Sequence, residues 1–104
     1  MVDKKASVDI LSSLDRLKAR KILAEFFNTN PNNVSFTKHA QEQMQKRNLM
    51  FGDVMNVLRA GNIYKDAELE NGSWRYQIET KKITVVFAFN SPDKIRIITA
   101  WRNV

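Results

Sequence analysis

The single histidine of the chain, His39, lies in the stretch SFTKHAQEQMQKRN, residues Ser35 to Asn48. Histidine is the side chain whose unperturbed pKa lies near neutrality, which makes His39 the natural candidate to take or give a proton at physiological pH. Thr37 reads as an N-cap, which places His39 in the first turn of a polar helix. On that helix His39, Gln43, Lys46 and Arg47 fall within a sector of roughly 100°, so one phosphate could meet all of them. The same pattern fits an ordinary solvated helix, whose last turn favours Lys and Arg through the helix dipole.

Two later segments add candidates. In SWRYQIE, strand alternation puts Trp74, Tyr76 and Ile78 on one face and Arg75, Gln77 and Glu79 on the other. Arg75 is then either a phosphate contact or a solvated strand arginine. Tyr76 carries a hydroxyl that needs a partner when buried and can donate a proton when exposed. In IRIITAWRNV the same rule puts Ile97, Thr99 and Trp101 on one side, and Arg96, Ile98, Ala100 and Arg102 on the other. Trp101 is either core or a stacking platform for a base, a contact worth about 1–3 kcal/mol. Lys81 and Lys82 sit at a hairpin end, as an electrostatic rim or as plain turn residues.

The elements that must position these residues follow from pattern. Ser7 to Phe27 reads as helix with Ser7 as N-cap. Its apolar residues split into two groups, Ile10, Leu14 and Leu17 against Ile22, Leu23, Phe26 and Phe27. The basic RLKARK between them marks a bend or two shorter helices, or else one helix with different partners at its two ends. NTNPNN is the clearest break, because Asn and Pro favour turns and Pro31 pushes its predecessor out of the α region. It separates an N-terminal helical arm, 1–30, from a functional core, 34–104, within one compact unit. After a short extended VSF and the His39 helix, LMFGDVMNVLRAGN gives a core helix that stops at Gly61. NIYKDAEL then leads through the hairpin signal Asn71-Gly72 into three strands joined by tight turns. Helices first and strands last imply an α+β fold, with N-terminal helices packed on a C-terminal antiparallel β-sheet.

Composition narrows the chemistry. The chain has 104 residues with 43% hydrophobic side chains, enough for one core. With 17 Lys plus Arg against 11 Asp plus Glu, the net charge of +6 favours nucleic acid, an acidic protein or an anionic surface. There is no cysteine, and one histidine cannot build a histidine-rich metal site, so catalysis is expected to need neither metal nor cofactor. No apolar run approaches the roughly 20 residues that cross a bilayer. The N-terminus lacks the apolar core of a signal peptide, which makes the cytoplasm the expected location.

Taken together, FTKHAQEQMQKRNLMFGDVMNVLRAGNIY, RYQI, ITVVF and IRIITAW resemble the RelE/ParE-like toxins of bacterial type II toxin–antitoxin systems, in particular a branch with a His-Ala helix. The resemblance covers about residues 34–102. It implies a barnase-like microbial ribonuclease fold and a metal-independent endoribonuclease that cleaves messenger RNA, often on the ribosome. It also implies a cognate acidic antitoxin that folds on binding. Relatives inhibit DNA gyrase instead. By this pattern His39 is the general base or acid, Arg47 and Arg75 stabilise the phosphate, and Tyr76 and Thr99 support them. Lys38, Gln43, Lys46, Lys81, Lys82, Trp101 and Arg102 are the RNA-binding candidates. The chain departs from the pattern at Gln43, where an arginine is usual, which shifts that task to Lys46 or Lys38. The alternative is a non-catalytic basic module that binds nucleic acid or an acidic partner. In either case the N-terminal helix could serve the antitoxin contact or a homodimer.

Overall fold

The structure is a computed structural model and describes residues 14–91 and 93–103. The expected helix start at Ser7 lies outside the described residues. Helix α1 (Arg16–Thr29) opens at Asp15, whose carboxylate accepts from the Lys18 backbone N–H at 2.8 Å. Ala19, Ile22, Leu23 and Phe26 are buried, an i, i+3, i+4, i+7 stripe facing the core. Side chains such as Leu23 and Phe26 each contribute about 1.5–3 kcal/mol when fully buried. Leu14 and Asp15 are not helical, so the helix expected from Ser7 to Phe27 is not continuous: α1 begins at RLKARK itself, with Arg16 as its first residue. Leu17 points away from the stripe and is 85% exposed.

After the turn at Pro31 come strand β1 (Val34–Phe36), helix α2 (Lys38–Lys46) and helix α3 (Phe51–Ala60). Helix α2 ends in a left-handed residue, Asn48 at φ 59°, with the Leu49 N–H donating back to the Met44 carbonyl at 2.8 Å. That pattern closes the last turn in the manner of a Schellman motif, and Met44 and Leu49 are both buried beside it. Helix α3 stops at Gly61, whose site has no room for a side chain. Arg20 of α1 donates to the carbonyls of Arg59 and Gly61, which ties α1 to the end of α3.

Strands β2 (Glu68–Glu70), β3 (Ser73–Glu79), β4 (Ile83–Ser91) and β5 (Lys94–Arg102) complete a five-stranded sheet of order β1-β5-β4-β3-β2. Asn71 and Gly72 at φ 50° and 79° form the two-residue turn that the Asn-Gly pair predicts. The sheet is mixed, because β1 pairs parallel with β5, Val34 opposite Ile95 and Phe36 opposite Ile97. The two helices and three strands between β1 and β5 supply the long crossover that a parallel pair requires. NIYKDAEL adds to the three expected strands: Asn62 bridges Glu79, and regular pairing with β3 begins at Glu68.

The fold is thus α+β with helices packed on a sheet. Helix α3 packs on β3 and β4, α1 packs on α3, and α2 lies against β5. Tyr76, Ile78, Val85, Phe87, Ile95 and Ile97 face α1 and α3 in one core. Among the described residues, no helix is long and apolar enough to cross a membrane.

Candidate active site

The face of the sheet turned away from α1 and α3 carries an open cleft of about 360 Å³. Its floor is set by strand register. Gln77 of β3 pairs with Val86 of β4, and Val86 pairs with Thr99 of β5, so these three stand in one row across the sheet. Arg75, two residues before Gln77, shares this face.

Thr99 reaches the cleft only because β5 is irregular. Val86 pairs with Thr99 and the next residue, Phe87, pairs with Ile97, so Ile98 is an extra residue in β5. Such a bulge reverses the alternation beyond it. Ile95 and Ile97 face the core, whereas Thr99 and Trp101 face the cleft and Ala100 turns inward. This corrects the simple alternation that grouped Ile97 with Thr99 and Trp101. It also removes Trp101 from the core, where it is only half-buried and forms part of the cleft wall.

His39, from the first turn of α2, lines the same cleft beside Ile98, Thr99 and Trp101. The opposite wall comes from the segment leading into β2 and from β2 itself, with Lys65, Asp66, Glu68 and Glu70. The Arg75 guanidinium lies 3.2 Å from the Glu70 carboxylate, and Lys65 lies 3.9 Å from Glu68. Arg16 of α1 steadies this wall by donating to the Tyr64 carbonyl at 2.7 Å and pairing with Asp66 at 4.0 Å. The cleft therefore brings together an imidazole, a guanidinium, an ammonium and three carboxylates. With two cations against three carboxylates it is mixed in charge, and the +6 of the chain resides elsewhere.

Of the expected catalytic set, His39, Arg75 and Thr99 meet in the cleft, and Trp101 joins them from the expected binding set. Tyr76 borders it, but the ring is 3% exposed and packs against Phe87 and Phe89. Its hydroxyl accepts from the Leu14 N–H at 2.9 Å, and burial raises its pKa above the ordinary tyrosine value. Tyr76 is therefore a core residue, its hydroxyl engaged as the acceptor for the chain entering α1. Arg47 is exposed, lies outside the cleft and donates to the Gln43 side-chain oxygen one turn back along α2. Arg102 donates to the carbonyls of Arg47 at 3.0 Å and Asn48 at 2.7 Å, which makes it a cap on the end of α2. Lys38, Lys46, Lys81 and Lys82 are exposed and outside the cleft.

Residue type and alternation do not single out the carboxylates, although the hairpin turn carries a signal for them. A two-residue turn at Asn71-Gly72 fixes Glu70 opposite Ser73 and Glu68 opposite Arg75, which puts both acids beside the arginine. Glu79 is a different case, since its carboxylate accepts at 3.0 Å from the hydroxyl of buried Thr84, which also contacts Asn103. Among the described residues, no group of three or more His, Cys, Asp or Glu side chains is placed to hold a metal ion.

No curated protein and no solved structure matches the chain. A family model described as a domain of unknown function, DUF4258, matches residues 36–102, from the end of β1 to the end of β5. The match contains every cleft residue and leaves α1 outside. It spans more than half of the chain, and the protein accordingly belongs to the DUF4258 family.

Proposed function

We propose that this protein is a metal-independent endoribonuclease of the RelE/ParE-like toxin type, with the cleft between α2 and the β2–β3 hairpin as its catalytic site. The observation that carries this reading is the meeting of His39, Arg75, Thr99 and Trp101 from α2, β3 and β5 in one open cleft. Cleavage without a metal needs a base for the 2′-hydroxyl proton, an acid for the leaving 5′-oxygen and donors around the phosphate. Glu70, an acceptor when ionised, suits the base, and His39 suits the acid. As the 2′-oxygen bonds to phosphorus, the P–O5′ bond breaks and the 5′-oxygen takes a proton from the imidazole. Arg75 and Thr99 then hold the phosphate, while Trp101 offers a stacking face. An acidic antitoxin would find its complement in the exposed cations outside the cleft.

The test is RNA end mapping in bacteria after brief induction, with the wild type beside His39→Ala. New messenger RNA ends that vanish in the variant are the expected result, and intact RNA with both proteins would remove the nuclease reading. A second reading, a non-catalytic basic module, draws on the position of Lys38, Lys46, Lys81 and Lys82 outside a cleft of mixed charge. It requires steeply salt-dependent nucleic-acid binding that His39→Ala leaves unchanged.

A further inference from the structure

We propose that Thr37 is a positioning residue of the cleft, clipping the start of α2 to the bulge of β5 so that His39 is held at a fixed place relative to Thr99 and Trp101. The Thr37 N–H donates to the Ile97 carbonyl at 3.0 Å, and the Thr37 hydroxyl donates to the Ile98 carbonyl at 3.1 Å. The same hydroxyl accepts from the Ala40 N–H at 3.0 Å as the helix cap. One hydroxyl supplies one donor and two acceptors, so both bonds form together. Ile98 is the extra residue that the register shift leaves in β5, and Thr99 follows it directly. His39 follows Thr37 by two residues. The cleft's imidazole and its threonine are therefore each within two residues of one clip, although they stand 60 positions apart in the chain.

Capping alone does not require threonine. Aspartate caps a helix at least as well, but an ionised carboxylate only accepts and cannot donate to the Ile98 carbonyl. Thr37→Asp therefore keeps the cap and the backbone bond to Ile97 but loses the hydroxyl bond to Ile98, Thr37→Ser keeps both side-chain bonds, and Thr37→Val loses both of these. Asp15→Ala supplies a control, since it removes the cap of α1, which meets the cleft through Arg16 at the wall opposite His39 and Trp101.

The experiment records the NMR signals of the His39 ring and the Trp101 indole N–H in each variant, together with RNA cleavage rates. The expected result is normal helix content in Thr37→Asp with displaced His39 and Trp101 signals. Its kcat falls by about tenfold to a hundredfold, as for a misplaced reacting group. Thr37→Ser matches the wild type, and Asp15→Ala loses stability with its cleft signals unmoved. Wild-type signals and rate in Thr37→Asp would overturn the proposal, as would an equal disturbance from Asp15→Ala. Should Thr37→Asp fail to fold, Thr37→Val against Asp15→Ala makes the same comparison. The rate arm rests on the nuclease reading. An inactive wild type would end that reading while the NMR arm still decides the clip.

Discussion

Replacing Tyr76 by Phe separates a core role from a catalytic one. The ring stays, with its centroid 5.6 Å from that of Phe87 and 5.5 Å from that of Phe89, so the packing is kept. What is lost is the acceptor for the Leu14 N–H, a bond of 2.9 Å between two buried residues. An orphaned buried donor costs about 1–3 kcal/mol. The phenylalanine has no hydroxyl to desolvate, which offsets part of this and puts the expected loss near 1 kcal/mol. In urea, with a slope of about 1–3 kcal/mol per molar, the midpoint falls by about 0.3–1 M with the slope unchanged. The alkaline limb gives a second check. Burial raises the Tyr76 pKa in the folded protein, so the unfolded chain ionises first. This contribution to stability is complete below the ordinary tyrosine pKa of about 10 and is lost as pH rises through the folded value. The variant lacks that loss, and its deficit relative to the wild type shrinks above about pH 10. RNA cleavage at neutral pH stays within about twofold of wild type, since the hydroxyl takes no part in the transition state. Unchanged stability with a large fall in kcat would refute the core assignment and return Tyr76 to the chemistry.

Three further substitutions test the frame around the cleft. In Gly61→Ala the new Cβ would stand 2.6 Å from the Val57 carbonyl oxygen, 2.9 Å from Ile78 Cγ1 and 3.0 Å from the Glu79 carbonyl oxygen. Backbone oxygens yield poorly, so denaturation should show a loss of about 1–3 kcal/mol, and a neutral or stabilising result would contradict the packing. Gly72→Ala meets open space but must hold φ at 79°, which predicts a loss of about 1–2 kcal/mol by the same assay. Arg102→Ala removes donors to two carbonyls at the end of α2, so thermal unfolding should come several degrees earlier while RNA affinity changes little. A selective loss of RNA binding at unchanged stability would make Arg102 a contact residue instead.

Local chemistry carried far into the three-dimensional arrangement. The Asn71-Gly72 turn, the stop at Gly61 and the cap at Thr37 each act within a few residues, and their positions follow from residue type alone. The core face of β3 follows too, because Tyr76 and Ile78 alternate with Arg75 and Gln77. The bulge at Ile98 was not legible, since IRIITAW carries adjacent apolar residues and no glycine to mark a slip in register. Parallel pairing of β1 was hidden for a similar reason: three residues have too little alternation to declare a direction or a neighbour. Arg47 and Arg102 show the limit for the site. Both are cations in a basic chain, and only the folded arrangement reveals that Arg47 serves Gln43 and Arg102 serves a helix end 54 or 55 positions away.

The most direct test uses purified protein with excess chelator and a single-stranded RNA, compared with the same RNA carrying one 2′-deoxy sugar at the mapped cut. Cleavage of the first to a 2′,3′-cyclic phosphate end, with none at the deoxy position and none by His39→Ala or Arg75→Ala, is the predicted result. Cleavage that needs added divalent metal, or that survives loss of both the 2′-hydroxyl and His39, would contradict the account.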